Sequence, residues 1–297
     1  MLSRILDAAA ALGAGAAISL VGACSPALDP AEEARASWHA ERLAKLRAED
    51  GWLSLVGLDF LEDGEWSVGS GDAARLRYAS CSAPSIGRFV VEGQVARWLP
   101  ESGSSAVLER ATAGEALVAD DQGPPSVVRD GPVSFALLRR GGKLALRVRD
   151  NTSPTRRDFA GIPLFPFDAT RIVRARAEAV APGRMVSIAN VLGHVEAQPV
   201  AALLAFELDG ATRRFVATKG AGERLFVVFG DATNGRESYG GGRFLDLAPP
   251  VDGVVEIDFN RAFNPPCAFT AHATCPLPPE MNRLTERIAA GELAPAP

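Results

Sequence analysis

Short apolar runs separated by turn residues dominate the chain from residue 51 onward. The runs are four to eight residues long and end at glycine, proline, aspartate or asparagine, which is typical of β-strands. Asp209-Gly210 joins two of these runs, 203–208 and 213–218, and is the strongest hairpin signal in the sequence. Because no long amphipathic helix separates the runs, the pattern predicts a mainly β fold. We expect an antiparallel sandwich-like or barrel-like body from about Trp52 to Phe259.

Helices are predicted only at the two ends of this body. Asp29 is a helix-capping residue, Pro30 follows at the first helical position, and Glu32 stands three residues after the cap. This pattern predicts an N-terminal helix from Pro30 to about Glu49. A short C-terminal helix is predicted from Glu280 to Ala290.

An apolar run of 16 residues, from Ala8 to Ala23, follows the single basic residue Arg4. It is shorter than the roughly 20 residues that a membrane-spanning helix needs, and its small residues are typical of an export signal. Cys24 follows directly, as in a bacterial lipobox, where the cysteine receives a diacylglyceryl group. The alternatives are an ordinary cleaved signal with an incidental cysteine, or a misassigned start codon.

A lipidated Cys24 would become the new N-terminus and would hold the protein on a membrane by two acyl chains. We therefore expect an exported protein that is lipid-anchored in the cell envelope. In a Gram-negative cell its place would be the outer membrane or the periplasmic face.

The predicted organisation has four parts. Residues 1–23 are the lipoprotein signal peptide, and 24–50 are a tether with the N-terminal helix. An N-terminal β region (51–125) and a C-terminal β region (126–297) follow. The boundary at 125/126 rests on Gly123-Pro124-Pro125-Ser126, and a loop within one body is an equal alternative.

Composition narrows the class of protein further. With 47% hydrophobic residues, the chain has enough apolar surface to offset the entropy of folding. A net charge of −5 argues against a nucleic-acid surface, which needs clustered positive charge. The sequence has no G-x-S-x-G, H-E-x-x-H or Walker motif, so we expect no cofactor. Nothing in it indicates the oligomeric state.

The most specific stretch reads DFNRAFNPPCAFTAHATCPLPP at residues 258–279, followed by Asn282-Arg283-Leu284. It resembles the signature of an uncharacterised prokaryotic family, the domain-of-unknown-function family 1684. The resemblance extends from about Trp38 to Glu292 and implies no known activity. Further matching pieces are Gly51-Trp52-Leu53-Ser54-Leu55, Arg147-Val148-Arg149-Asp150, Ser153-Pro154, Phe165-Pro166, Asn190-Val191-Leu192-Gly193, Asp231-Ala232-Thr233 and Gly242-Arg243-Phe244.

This sequence departs from the family pattern at three places. Gly230 stands where a basic residue is usual, Phe263 where tyrosine is usual, and Ala271-His272 where Pro-Tyr is usual. His272 is therefore not expected to be a catalytic residue that the family shares.

Two cysteines, Cys267 and Cys275, lie in the proline-rich signature. In an oxidising compartment such a pair most often forms a disulfide, which would hold residues 260–279 against the sheet ends. A free thiol with Cys267 as nucleophile is one alternative. A zinc site that includes His272 is another, but it lacks a fourth ligand, so no metal site is predicted. Cys81 is left over and is expected to be buried and reduced.

Polar side chains at strand ends and in the signature loops have two interpretations. They tie the loops down, or they line one polar pocket at the ends of the sheets, where an arginine would bind a carboxylate or phosphate. For the pocket, the catalytic candidates are Asp258, Tyr239 and Cys267. The predicted ligand-binding residues are Arg149, Asp150, Arg243, Asn260 and Asn264.

Two functions follow from these features. The predicted one is a lipid-anchored envelope protein that binds a small anionic ligand or an envelope component in the polar pocket. The alternative is a hydrolase- or transferase-type enzyme that uses an Asp/Tyr/Arg or Cys site in the same pocket.

Overall fold

The computed structural model of the protein describes residues 29–295, so the predicted signal peptide and Cys24 lie outside the described residues. Helix α1 (Pro30–Arg47) begins as predicted, because the Asp29 carboxylate accepts the backbone N–H of Ala31 at 2.8 Å. Near its end, the buried Leu46 packs in a cluster with Leu53. Within residues 29–295, no helix is long and apolar enough to cross a membrane.

The first nine strands form two sheets that pack face to face. One sheet has the strand order β1-β9-β8-β7-β6 and the other β3-β2-β4-β5; only the short β2–β3 pair is parallel. Phe89, Trp98 and Phe135 fill the core between the two sheets. The strands are β1 (Leu55–Phe60), β2 (Gly64–Gly69), β3 (Leu76–Arg77), β4 (Gly87–Glu92), β5 (Val95–Pro100), β6 (Val107–Glu109), β7 (Val127–Asp130), β8 (Val133–Arg140) and β9 (Lys143–Asp150).

A short helix, α2 (Pro154–Arg157), leads to a third sheet, which is antiparallel and curls into a half-barrel. Its order is β15-β14-β13-β12-β10-β16, and β11 pairs with the first half of β12. The strands are β10 (Ile172–Glu178), β11 (Met185–Ala189), β12 (Val195–Leu208), β13 (Ala211–Lys219), β14 (Leu225–Phe229), β15 (Arg243–Leu247) and β16 (Val254–Asp258).

The β12–β13 hairpin confirms the strongest local signal of the sequence. Asp209 and Gly210 have φ angles of 49° and 79°. Positive φ at both central residues is the requirement of a type I′ turn, whose twist matches that of the flanking strands. The mainly β, antiparallel fold predicted from the turn spacing is thus present.

The segment after β16 closes the open side of the curled sheet without forming the helix predicted from Glu280 to Ala290. Only a single 3₁₀ turn forms there, Glu280–Asn282. The backbone of this segment pairs instead with the end of β14, where the Leu284 N–H donates to the carbonyl of Gly230. Leu284 and Ile288 therefore enter the core of the curled sheet. Tertiary pairing has overridden the local helical preference.

The boundary predicted at 125/126 does not separate two sheets. Strands β6 and β7 lie on either side of it and pair with each other within one sheet. The change from the sandwich to the curled sheet comes after β9, in residues 151–171. The Pro-rich stretch is thus a loop inside the sandwich, which was the alternative interpretation.

Candidate functional site

Arg243 is fully buried at the start of β15, and its hydrogen bonds hold the C-terminal segment in place. Its guanidinium pairs with the buried Asp231 carboxylate and donates to the carbonyls of Ala290 and, at 2.9 Å, Ile288. Burial lowers the pKa of Arg243, and the Asp231 carboxylate opposes that shift. These contacts anchor the chain and leave the side chain no access to a ligand in solution.

Asn264 belongs to a second buried network, which joins α1 to the C-terminal segment. Its backbone N–H donates to the Glu292 carboxylate at 2.7 Å, and its side-chain amide donates to the carbonyl of Leu293 at 2.6 Å. Glu292 is fully buried and accepts a hydrogen bond from Arg42 Nε at 3.1 Å. Arg42 also donates to the carbonyl of Asn264 at 2.8 Å. Sequence reasoning missed this pair, because an arginine on a helix and a glutamate near a terminus resemble surface residues.

Asp258 and Asn260 form a third anchor at the end of β16. The Asp258 carboxylate accepts the backbone N–H of Asn260 at 2.9 Å and also lies 3.2 Å from Arg261 Nε. The side chain of Asn260 bonds both the N–H and the carbonyl of Asp168, which precedes β10. A carboxylate engaged in this way is poorly placed for acid–base chemistry.

Asp150, at the end of β9, accepts hydrogen bonds from the side chains of Ser80 and Thr152 at 2.5 and 2.6 Å. Burial would raise the pKa of Asp150, but these hydrogen bonds outweigh it and lower the pKa. Of the five predicted ligand-binding residues, Asp150, Arg243, Asn260 and Asn264 are thus each held by separate partners. They do not converge on one pocket.

The fifth residue, Arg149, has a different environment. On β9, Leu146 and Val148 face the core of the sandwich, so Arg147 and Arg149 both point to the outward face. Among residues 29–295, neither guanidinium has a hydrogen bond or an ion pair, and the Nε atoms of both are buried without a partner. Two half-buried cations therefore lie side by side, and in the described part of the chain no carboxylate forms a direct ion pair with either of them.

The surroundings of the two arginines lower the pKa values of their guanidinium groups. Burial, and then the guanidinium groups of Arg140 and Arg149, lower the pKa of Arg147 to about 10, although the Asp120 carboxylate opposes the shift. Burial also lowers the pKa of Arg149, against the attraction of Asp50. The guanidinium carbon of Arg147 lies 5.5 Å from the centre of the Trp52 ring, which supports it in place.

Arg149 opens onto a groove on the outward face of the sandwich. The groove encloses about 690 Å³. On β8, next to the arginines, stand the small residues Ser134 and Ala136, which leave room above the sheet. The charged residues that line the groove are Glu49, Asp50, Glu109, Arg110, Arg129 and Arg149. The groove is large enough for a small ligand and has a desolvated cation in its wall.

The period of two along β9 could have identified this pair. Arg147 and Arg149 alternate with apolar residues in the run KLALRVRD, which places both arginines on one face of a strand. Arg149 was among the predicted ligand-binding residues, whereas Arg147 was not. That both would be half-buried depends on the docking of other segments, which a strand pattern does not encode.

A second cleft, at the edge of the sandwich, was also not predicted. Asp59 on β1 accepts a hydrogen bond from the Tyr78 hydroxyl at 2.5 Å, in a cleft of about 470 Å³ that His272 also lines. Burial and the bond to Asp59 raise the pKa of Tyr78, so the phenol stays neutral. His272 thus lies beside a donor–acceptor pair but is not hydrogen-bonded to it in the structure as described.

The predicted disulfide between Cys267 and Cys275 is not found: both are free cysteines, and they lie in contact with each other. The backbone N–H of Cys267 donates to the sulfur of Cys275 at 3.1 Å, and that of Cys275 donates to the sulfur of Cys267 at 3.4 Å. Burial, and then the two sulfurs, raise the pKa of the nearby Tyr239. No group of three or more metal-ligating side chains occurs within residues 29–295, so these thiols have no described partners for a metal.

Comparison with known proteins identifies the family of this chain. A family model described as "Protein of unknown function (DUF1684)" matches residues 157–293, the part of the chain that holds the curled sheet and the closing segment. An uncharacterized protein of Haloarcula marismortui, solved by solution NMR, is 35% identical; the match covers 48% of this chain and 80% of that one, with a TM-score of 0.40. No curated protein matches.

The fold and its anchors thus define a mainly β protein whose signature residues are largely structural. The chain belongs to the DUF1684 family, as the signature at residues 258–284 predicted. The matched region begins at residue 157, later than the predicted Trp38, so the sandwich lies outside it.

Proposed function

We propose that this protein is a lipid-anchored envelope protein that binds a small anionic ligand at Arg147 and Arg149. The observation that carries the proposal is the pair of half-buried guanidinium groups without a partner among the described residues. Removing a charge from water costs several kcal/mol unless a counter-charge or hydrogen bonds compensate. A bound carboxylate or phosphate would supply both.

The spacing of the two arginines suits one small anion. Residues i and i+2 on a strand lie about 7 Å apart, so two flexible side chains can converge on one carboxylate or phosphate group. A guanidinium offers paired N–H donors that match two oxygens of such a group. The acidic residues Glu49, Asp50 and Glu109 that also line the groove would oppose larger polyanions and favour a compact ligand.

Titration with two simple probes tests the binding site. Inorganic phosphate and succinate, a dicarboxylate, are added separately to the full-length protein while heat of binding and Tm are recorded. We expect one of the probes to bind, and Arg149→Gln or Arg147→Gln to weaken that binding at least tenfold. Arg176→Gln is the matched control, since the Arg176 side chain is 76% exposed on β10.

The proposal on binding fails if neither probe binds the wild type, or if the Arg147 and Arg149 variants bind as the Arg176 control does. Phosphate binding alone would indicate a phosphorylated ligand, and succinate binding alone a carboxylate. Either outcome supports an anion site and identifies its class.

The lipid anchor is supported by the sequence around Cys24 and by the position of α1. Pro30, the first residue of α1, follows Cys24 by six residues. An extended linker of that length reaches about 20 Å, so the anchor would keep the folded body close to the membrane. Mass spectrometry of the membrane fraction should find diacylated Cys24, and Cys24→Ala should release the chain. A soluble wild type that begins at another residue would contradict the anchor.

The enzyme alternative depends mainly on Cys267 among the predicted catalytic residues. Asp258 is engaged in loop anchoring, and burial raises the pKa of Tyr239 away from that of an effective base. A hydrogen bond from the Cys275 thiol, by contrast, lowers the pKa of Cys267 to about 7, although burial opposes it. A thiol with a lowered pKa forms the nucleophilic thiolate more readily, so Cys267 is the best candidate in the signature for a catalytic nucleophile.

A further inference from the structure

The local backbone conformation holds Cys267 and Cys275 in contact. Cys267 lies in a 3₁₀ turn, Pro266–Ala268, and Cys275 is followed directly by Pro276. Each cysteine donates its backbone N–H to the sulfur of the other, and the Cys267 thiol donates to the carbonyl of Ala273 at 3.3 Å. The two sulfurs are therefore held together by the fold, so a bond between them would cost little additional conformational entropy.

The two thiols differ in accessibility and in acidity. Cys267 is half-buried, whereas Cys275 is only 4% exposed, in a buried apolar cluster with Leu55 and Phe244. The hydrogen bond between the thiols lowers the pKa of Cys267 and raises that of Cys275. An accessible, acidic thiol beside a protected, less acidic one is the arrangement of an attacking and a resolving cysteine.

We propose that Cys267 and Cys275 form a redox-active dithiol, which exchanges with a small-molecule disulfide and cycles between a thiol pair and an intramolecular disulfide. This inference does not depend on anion binding at Arg147 and Arg149. It assigns to the family signature a chemical function beyond the anchoring of loops, which the other signature residues perform.

The exchange balances in two steps. The Cys267 thiolate attacks one sulfur of the small disulfide; a mixed disulfide forms, and the leaving thiolate takes a proton from water. Cys275 then loses its proton to solvent and attacks the Cys267 sulfur, which releases the second small thiol. Two protein thiols are oxidised, and one disulfide is reduced to two thiols.

The remaining described cysteine, Cys81, provides an internal contrast. It is 7% exposed in the core of the sandwich, and burial raises its pKa to about 12. A thiol with that environment is protonated and shielded at neutral pH, so it should not react. Cys81→Ser therefore serves as the matched control for substitution of a buried cysteine.

The experiment uses the purified full-length protein, incubated with oxidised glutathione, trapped with iodoacetamide and mapped by peptide mass spectrometry. We expect the wild type to form a Cys267–Cys275 disulfide that dithiothreitol reverses in the folded protein. Cys275→Ser should accumulate a glutathione adduct on Cys267, and Cys267→Ser should react at least tenfold more slowly. Cys81→Ser should behave as the wild type. Circular dichroism confirms that each variant is folded.

The pH dependence of the reaction identifies the attacking group. Because the hydrogen bond from the Cys275 thiol lowers the pKa of Cys267, the reaction rate should rise less steeply between pH 6 and pH 8 than the rate of an ordinary thiol. An ordinary thiol with a pKa of about 8.5 would give a rise of about 80-fold.

Three results would overturn the proposal. If Cys267 stays unmodified in the Cys275→Ser variant, it is not an attacking thiol. If the wild type retains the glutathione adduct, Cys275 does not resolve the mixed disulfide. If the disulfide resists dithiothreitol in the folded protein, it is a structural bond rather than an exchanging one.

Discussion

Two regions of this protein bury arginine in opposite ways. At the closure of the curled sheet, Arg243 is fully buried and pairs with Asp231, and it also donates to two backbone carbonyls. On the outward face of the sandwich, Arg147 and Arg149 are half-buried and have no partner in the described part of the chain. A partnered buried charge belongs to the architecture, whereas the two arginines without a partner are the basis of the proposed anion site.

The largest expected effect comes from breaking the partnered site. Arg243→Met leaves the Asp231 carboxylate buried without its counter-charge and removes the hydrogen bonds to the closing segment. We expect the free energy of unfolding to fall by about 3–5 kcal/mol, measured by urea denaturation. Arg176→Met, at an exposed position on β10, should change it by less than about 0.5 kcal/mol. Equal effects of the two variants would contradict the structural role of Arg243.

Breaking the network that joins Glu292 to Arg42 and Asn264 should lower the free energy of unfolding by a smaller amount. Glu292→Gln removes the charge that binds Arg42 and replaces an acceptor oxygen near the backbone N–H of Asn264 by a donor. The expected loss is about 1.5–3 kcal/mol in the same assay, since hydrogen bonds to charged groups are worth about that much. Glu65→Gln, which breaks an exposed pair with Arg88, should cost at most about 0.5 kcal/mol. A loss for Glu292→Gln no larger than this would show that the α1 contact is dispensable.

The smallest expected effect concerns pH and Asp150. Hydrogen bonds from Ser80 and Thr152 lower the pKa of Asp150 below its usual value near 3.8. The stability that this group contributes is therefore complete above the unfolded-state pKa and is lost as the pH falls through the folded-state pKa. We expect Asp150→Asn to have a lower Tm than the wild type at pH 7, and the difference to shrink towards pH 2. A difference that stays constant with pH would indicate that the charge of Asp150 is not involved.

Much of the fold could be predicted from the sequence, because the sequence signals for its helix start and its hairpin turn are local. The Asp29-Pro30 start of α1 and the Asp209-Gly210 turn each depend on a few neighbouring residues, and both are confirmed. The predicted helix over 280–290 was wrong, because backbone pairing with β14 decides the conformation of that segment. Such pairing joins residues more than 50 positions apart, which a local pattern does not contain.

The candidate site was harder to predict from the sequence, because the partners of its residues are distant in the chain. The residue types of a loop anchor and of a binding pocket are identical, so Asn260, Asn264 and Arg243 were chosen as ligand-binding residues on chemistry alone. Their partners, Asp168, Glu292 and Asp231, become visible only in three dimensions. Arg149 differs from them by the absence of a partner among the described residues, a property of the fold rather than of the sequence.

The most direct test of this contrast is the free energy of unfolding of Arg147→Met, measured with and without the anion that binds the wild type. Without the anion, we expect the variant to be at least as stable as the wild type, because an unpartnered desolvated charge has been replaced by an apolar side chain of similar length. With the anion, the wild type should gain stability and the variant should not. A loss of several kcal/mol without the anion, comparable to that of Arg243→Met, would show that Arg147 is a structural residue like Arg243.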